Sequence, residues 1–209
     1  MLRSFAIASV LCASILLQPV AAHAVATDDA GKYIDKVAGE ALSTISGDAS
    51  KDAKQKKLEK LFATHVDIPW VARFVVGRYW RQASDAQKTS YVKHYERFLI
   101  RHYTSRFTDY TSGTYKITGV KDDGDNEFTV SMSLQGTGGK STEPVLVDYR
   151  VRKGDAGFRI FDVIVEGISM ITTQRSEFSS VLAQHDIDYL TKQLDAKAAT
   201  GELSLKAQP

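Results

Sequence analysis

The chain has 209 residues, of which 43% are hydrophobic, with 27 Lys and Arg against 25 Asp and Glu. That balance excludes the basic stripe that broad nucleic-acid binding requires, so no nucleic-acid partner is expected. The single cysteine, Cys12, excludes disulfides, thiolate metal sites and a cysteine nucleophile from everything downstream of it.

Residues 1–24 have the pattern of a secretory signal peptide. Arg3 is their only charge, Phe5–Leu17 is an apolar run broken only by small residues, and Ala22-His23-Ala24 is an A-x-A cleavage site, with Ala24-Val25-Ala26 one step further on. The run is shorter than the about 20 residues that span a bilayer. Leu11, before Cys12, is not the small residue of a lipoprotein attachment site. Residues 25–209 are then expected as one exported, soluble domain with room for a real core. Export without disulfides fits the bacterial periplasm.

Ile34, Val37, Ala38, Ala41, Leu42 and Ile45 recur at helical spacing and predict a first helix from Ala30 to Ile45, stopped by Gly47. The lysine-rich stretch Lys51–Lys60 predicts a second, with a solvated face and Leu58, Leu61 and Phe62 on its apolar side. Asp67 caps a short third helix with Pro69 in its first turn. Ser84-Asp85-Ala86-Gln87 is a capping box. It opens the longest helix, where Tyr91, Tyr95, Phe98, Leu99, His102 and Tyr103 form an aromatic stripe.

After Gly113 the apolar period shortens to two. Tyr115 and Ile117 begin a strand; Phe128, Val130, Met132 and Leu134 alternate through the next, and Val145, Val147, Tyr149 and Val151 through a third. Phe158–Val165 is a fourth, apolar on both faces, and Lys121–Asn126 and Gly136–Lys140 have the composition of hairpin loops. Helices Ser169–Leu182 and Ile187–Ala198, the second capped by Asp186, close the chain before a fraying tail, Thr200–Pro209. Helices, strands, then helices predict an α+β fold with helices covering one face of a four-stranded antiparallel sheet.

Two blocks point further. In Phe158–Leu182 a strand carrying Asp162-Val163 turns through Glu166-Gly167-Ile168-Ser169 into a helix with Arg175 and Phe178. Gly77-Arg78-Tyr79-Trp80-Arg81 precedes the aromatic helix with Gln87, Tyr91, Tyr95, Leu99 and Tyr103. Together, over Asp67–Leu194, they resemble the Mla-type periplasmic phospholipid carriers, the MlaC or toluene-tolerance family. The resemblance implies an NTF2-like cone, its helices wrapped on a curled sheet around an apolar cavity. It implies phospholipid as cargo, with no cofactor, metal or catalytic residue. It also implies two partners, an inner-membrane ABC transporter complex with MCE domains and an outer-membrane lipoprotein–porin complex. Shuttling phospholipid between them would maintain outer-membrane lipid asymmetry. Thr173–Leu182 and Arg106–Tyr110 are also similar to the hopanoid-associated branch, whose ligand would be a rigid polycyclic lipid. The chain departs from the pattern at Gln174, where many members carry an aromatic, and at Tyr91 and Tyr95, where phenylalanine is commoner.

On this resemblance the cavity is lined from the helices by Val71, Phe74, Val75, Tyr95, Phe98, Leu99 and Tyr103. From the sheet and its exit it is lined by Val147, Tyr149, Val163, Val165 and Ile168. On the residues alone, an aromatic stripe reads as core. Arg78, Trp80, Arg81 and Arg175 are candidates for head-group or partner docking, because guanidinium matches phosphate oxygens and interfaces favour Trp and Arg. The competing reading pairs the arginines internally, with Asp162 or Glu166. A different class of function, a small-molecule enzyme, would pair Asp162 with His65 or His102 as acid and base. His94 and His102 lie eight positions apart on one helix, about 12 Å, too far to share an ion. Glu166-Gly167 is expected to shape the strand-to-helix joint, with Ser169 capping the helix.

Overall fold

A computed structural model describes residues 20–107, 113–136 and 143–200. Within them, helices precede and follow one sheet. α1 (Val20–Ser46) starts at Val20 and not at Ala30, crossing the expected cleavage point after Ala24. Ala26 and Ala30 carry the stripe of Ile34 and Val37 towards the N-terminus. Alanine is a weak hydrophobic signal but the best helix former, which is why the periodicity missed this turn.

α2 (Lys51–His65) runs past Lys60 and is capped by Ser50, whose Oγ accepts from Ala53 N at 3.3 Å. α3 (Ile68–Val76) is capped as expected, Asp67 accepting from Trp70 N at 3.3 Å, and gives way to a 3₁₀ turn, Gly77–Arg81. α4 (Asp85–Phe107) opens on a reciprocal capping box. Ser84 N donates to Gln87 Oε1 at 2.9 Å and Gln87 N to Ser84 Oγ at 3.2 Å.

The strands are β1 (Gly113–Gly124), β2 (Glu127–Gly136), β3 (Val145–Gly154), β4 (Gly157–Val165) and β5 (Ile168–Ser169), antiparallel neighbours in chain order. The fifth strand corrects the expected four: two residues beyond the turn pair back onto β4, too short a stretch to show a period. Asp125 and Asn126, at φ 51° and 60°, join β1 to β2 with the left-handed pair that suits a twisted hairpin.

The register gathers apolar residues on one face. Ile117, Met132, Val147, Val165 and Ile168 form a row across all five strands, with Val130, Tyr149 and Val163 beside it. β1 is irregular between Ile117 and Gly119 and again between Asp122 and Gly124. β4 bulges opposite Arg150 and Val151, leaving Phe161 without a cross-strand partner. Ile160 therefore joins a cluster beneath α1 with Ile34, Phe128, Val130 and Val151. Phe161 joins a second cluster among α3, α4, α5 (Met170–Leu182) and α6 (Ile187–Thr200).

The joint between β4 and α5 is tied by Asp162, only 3% exposed. Its Oδ2 accepts from Ser169 Oγ at 2.8 Å and its Oδ1 from Ile171 N at 3.3 Å. Glu166 (φ 49°) and Gly167 (φ 78°) make the turn. Glu166 holds its unusual backbone by bonding β3 twice: Oε1 accepts from Leu146 N at 2.5 Å, and its N donates to Leu146 O at 3.0 Å. Ser169 caps α5 as expected, accepting from Thr172 N at 3.2 Å. Asp162→Ala strands Ile171 N, leaves Ser169 Oγ only Thr172 Oγ1 as acceptor, and should cost about 2 kcal/mol. In a chain of this size that lowers the melting temperature by roughly 4–8 °C. Thermal unfolding followed by circular dichroism checks it, and an unchanged melting temperature would contradict the role given to Asp162.

Candidate functional site

The twelve residues expected to line a cavity fall into two groups. In the helical group, Val71, Val75, Tyr95, Phe98 and Leu99 are each at most 3% exposed, with Phe74 and Tyr103 packed on the rim. Tyr95 meets Phe178 edge-on at 6.0 Å, and Leu190 and Leu194 of α6 complete the cluster. Here the stripe of α4 packs at near-complete burial against α5 and α6. Helices returning across α4 supply the partners that the sequence could not assign.

Two departures from the family pattern prove to be one interaction. Tyr95 Oη donates to Gln174 Oε1 at 2.6 Å, both residues being buried. Tyr91 Oη donates to Ala72 O at 3.1 Å. Burial pushes both phenols well above their ordinary range. Gln174→Leu leaves the Tyr95 hydroxyl without its acceptor and should cost about 1–3 kcal/mol, while adding Tyr95→Phe should recover most of it. A double-mutant cycle by urea unfolding reads the coupling; additive losses would mean that the bond contributes nothing.

The sheet group forms one continuous face. Val147 is 6% exposed, whereas Tyr149, Val163 and Val165 are half-buried. Tyr149 lies deep enough that burial pushes its phenol up to about 12. It nevertheless keeps accessible surface, and among the described residues its hydroxyl has no hydrogen-bond partner. Ile168 stands 58% exposed at the end of this face, with Val145 (37%) near it. Of the surface concavities, one of about 410 Å³ lies between α1 and β1, walled by Asp28, Asp35, Tyr115 and Ile117. Another, of about 200 Å³, lies beside Gly77. None of the twelve residues borders either.

The four docking candidates are not one surface. Arg78 and Arg175 border the 200 Å³ cleft; Arg81 is exposed outside its wall. Trp80 is half-buried, its ring 6.5 Å from Tyr91, with Lys88 Nζ 5.8 Å from its centroid. The internal ion pairs do not form: Asp162 and Glu166 are bound to Ser169, Ile171 and Leu146. Sequence reasoning missed a cation–aromatic stack. Trp70 lies on Phe74 at 5.1 Å, Arg175 covers Phe74 at 4.8 Å, and Arg152 covers Trp70 at 4.8 Å. Arg150 and Arg152 were visible as polar positions of an alternating strand, but their aromatic partners come from α3 and the β4 bulge.

The acid–base pair required by an enzyme is not assembled. Asp162 meets neither histidine; His102 is 1% exposed and stacked on Phe98 at 5.5 Å. Tyr33 Oη lies 3.0 Å from His65 Nδ1. No group of three potential metal ligands exists among the described residues. Burial holds His65 below its ordinary value, with Glu40 opposing and Arg159 and Lys36 reinforcing. The unfolded chain therefore takes up this proton first. The stability contribution is present above about pH 6.5 and is lost as pH falls below it. Tyr33, pushed up to about 12 by burial, acts at the other end, its contribution fading above about pH 10. His65→Gln should flatten the decline in melting temperature between pH 7.5 and 5. An unaltered profile would remove His65 from the acid limb.

A profile of the MlaC protein family matches residues 35–196. The intermembrane phospholipid transport system binding protein MlaC of Haemophilus influenzae is 22% identical over 137 residues, 65% of this chain. The match spans 64% of that relative, less than two thirds of its length. A phospholipid-binding protein from Ralstonia solanacearum, solved in complex with a phospholipid, has the same fold. Its TM-score is 0.72 at 22% identity, covering 83% of this chain and 98% of that one.

Proposed function

The chain belongs to the MlaC family, and from that membership we propose that it is a carrier of phospholipid. Residues 1–24 direct export and are removed, and residues 25–209 act in the periplasm as a single lipid-binding domain. The carrier takes phospholipid between an inner-membrane ABC transporter with MCE domains and an outer-membrane lipoprotein–porin complex, maintaining outer-membrane asymmetry. It breaks no bond in its cargo.

The observation that supports this most is the apolar sheet face. Met132, Val147 and Val165 continue into Tyr149 and Val163, which stay half-buried, and the face ends at exposed Ile168. Acyl chains laid on it are shielded from water, and the free Tyr149 hydroxyl offers a donor to an ester or phosphate oxygen. The helical group, closed on itself, then serves as the scaffold behind the site.

Magnitudes shape the mechanism. Burying acyl chain yields about 0.8 kcal/mol per CH₂. Two ordinary chains amount to roughly 20–25 kcal/mol against water, at or above the practical ceiling of about 18–21 kcal/mol for non-covalent affinity. The working comparison is membrane against carrier, where the apolar terms nearly cancel. A partner then needs only a modest bias to load or empty the site.

Native mass spectrometry of protein purified from the periplasm tests the reading. A co-purifying diacyl phospholipid is expected, a hopanoid would reassign the cargo, and a protein without lipid would sink the proposal. Val147→Glu places an unpaired carboxylate among the acyl chains and should abolish lipid retention. Ile168→Glu, at an exposed position, should weaken retention without unfolding. Undiminished lipid in both variants would put this face outside the site.

A further inference from the structure

The 3₁₀ turn after α3 and the outer side of α5 carry two positive charges that no described carboxylate neutralises. Arg78 and Arg175 border the cleft of about 200 Å³, whose walls include Tyr79 and Ser179. An aromatic ring holds each guanidinium. Arg175 lies 4.8 Å from the Phe74 centroid and Arg78 5.0 Å from that of Tyr79, to whose hydroxyl Arg78 Nη2 donates at 3.1 Å. Neither takes part in an ion pair with a described residue, unlike Arg97, Arg150 and Arg152 elsewhere.

Gly77 keeps the cleft open. Its φ of 53° is strained for a side chain, and a Cβ there would stand 3.2 Å from Arg175 Nη2. Both guanidinium groups border one cleft without a carboxylate partner, and their planar forks match an oxyanion well. At about 30 Å³ per water the cleft holds a few waters, enough room for a carboxylate and too little for a lipid.

We propose that this cleft receives an aspartate or glutamate side chain from an acidic protein partner, an assignment that rests on the carrier reading above. A carrier must meet proteins transiently, and charge pairing speeds encounter without slowing release. The surroundings suit a protein: the aromatic rings of Phe74 and Tyr79 that hold these arginines are, like Arg itself, of the residue types that anchor interfaces. A chain with one excess positive charge after residue 24 has little general attraction to an anionic membrane. Bound cargo is equally unsuited, because no residue of the apolar sheet face borders this cleft and Arg175 stands exposed on α5.

The test is NMR on the ¹⁵N-labelled exported protein, with lipid content followed in parallel by native mass spectrometry. The probes are the end-capped peptide Gly-Asp-Glu-Asp-Gly, its amide counterpart Gly-Asn-Gln-Asn-Gly, inorganic phosphate, and vesicles containing phosphatidylglycerol. The acidic peptide should shift the Gly77 amide and the Nε–H signals of Arg78 and Arg175 saturably and in a salt-sensitive way. The amide peptide should not. Arg175→Gln should weaken binding roughly tenfold while melting temperature and co-purified lipid stay unchanged. Equal shifts from both peptides, unaltered affinity in Arg175→Gln, or stronger responses to phosphate or vesicles would each overturn the proposal. Peptide binding by protein that purifies without lipid would uphold the cleft while removing the carrier reading.

Discussion

Asp162 lies near the end of the last long strand, buried, with both oxygens engaged by Ser169 and Ile171. A buried carboxylate is tolerable only when hydrogen-bonded, so the chain leaving β4 must return to it within a few residues. That requirement fixes the turn at Glu166-Gly167, the two-residue fifth strand and the first turn of α5 together. It also sets the rotational phase of α5. Gln174 and Phe178, four apart, face the helix cluster, and Arg175 is left on the outside. The buried Tyr95–Gln174 bond and the arginine cleft are both consequences of where one carboxylate stands.

Local chemistry was legible in the residues. The caps at Asp67, Ser84-Gln87 and Ser169 all form, because each is a bond between neighbours in sequence. Period-two alternation located three strands and placed Val147 and Tyr149 on one face, and an apolar run located the fourth. β4 looked apolar on both faces, and the bulge at Phe161 is the reason: one extra residue shifts the alternation, so that Ile160 and Val163 reach the same cluster while Phe161 joins the other. What stayed hidden depends on contacts far apart in the chain. Tyr95 and Gln174 looked like two unrelated polar substitutions, yet they bond across 79 positions. The arginines' partners were equally invisible, since Asp162 is bonded within its own joint and Glu166 to Leu146 of β3, which leaves aromatic rings as the supports.

The two apolar clusters divide the work of the domain. Helix-side residues such as Tyr95, Phe98 and Phe178 are packed to near-complete burial, so their packing supplies stability in its own right. The sheet face is covered by α1 at the end formed by Phe128, Val130 and Val151 and is progressively barer towards Ile168. The carrier role proposed above needs both: one part that stays folded whatever it carries, and one whose apolar surface can exchange partners.

The irregularities of β1 bear on how such a molecule survives in a crowded compartment. β1 is the longest strand and lies at the edge of the sheet, where unpaired backbone groups invite a second copy to add a strand. Register breaks near Gly119 and Gly124 bend and twist that edge, and exposed Lys116 and Lys121 place charge along it. A flat, uncharged edge beside an apolar face would be a template for fibrils. The bent, lysine-studded edge makes self-assembly of the chain through β1 unfavourable, even where its own concentration is high.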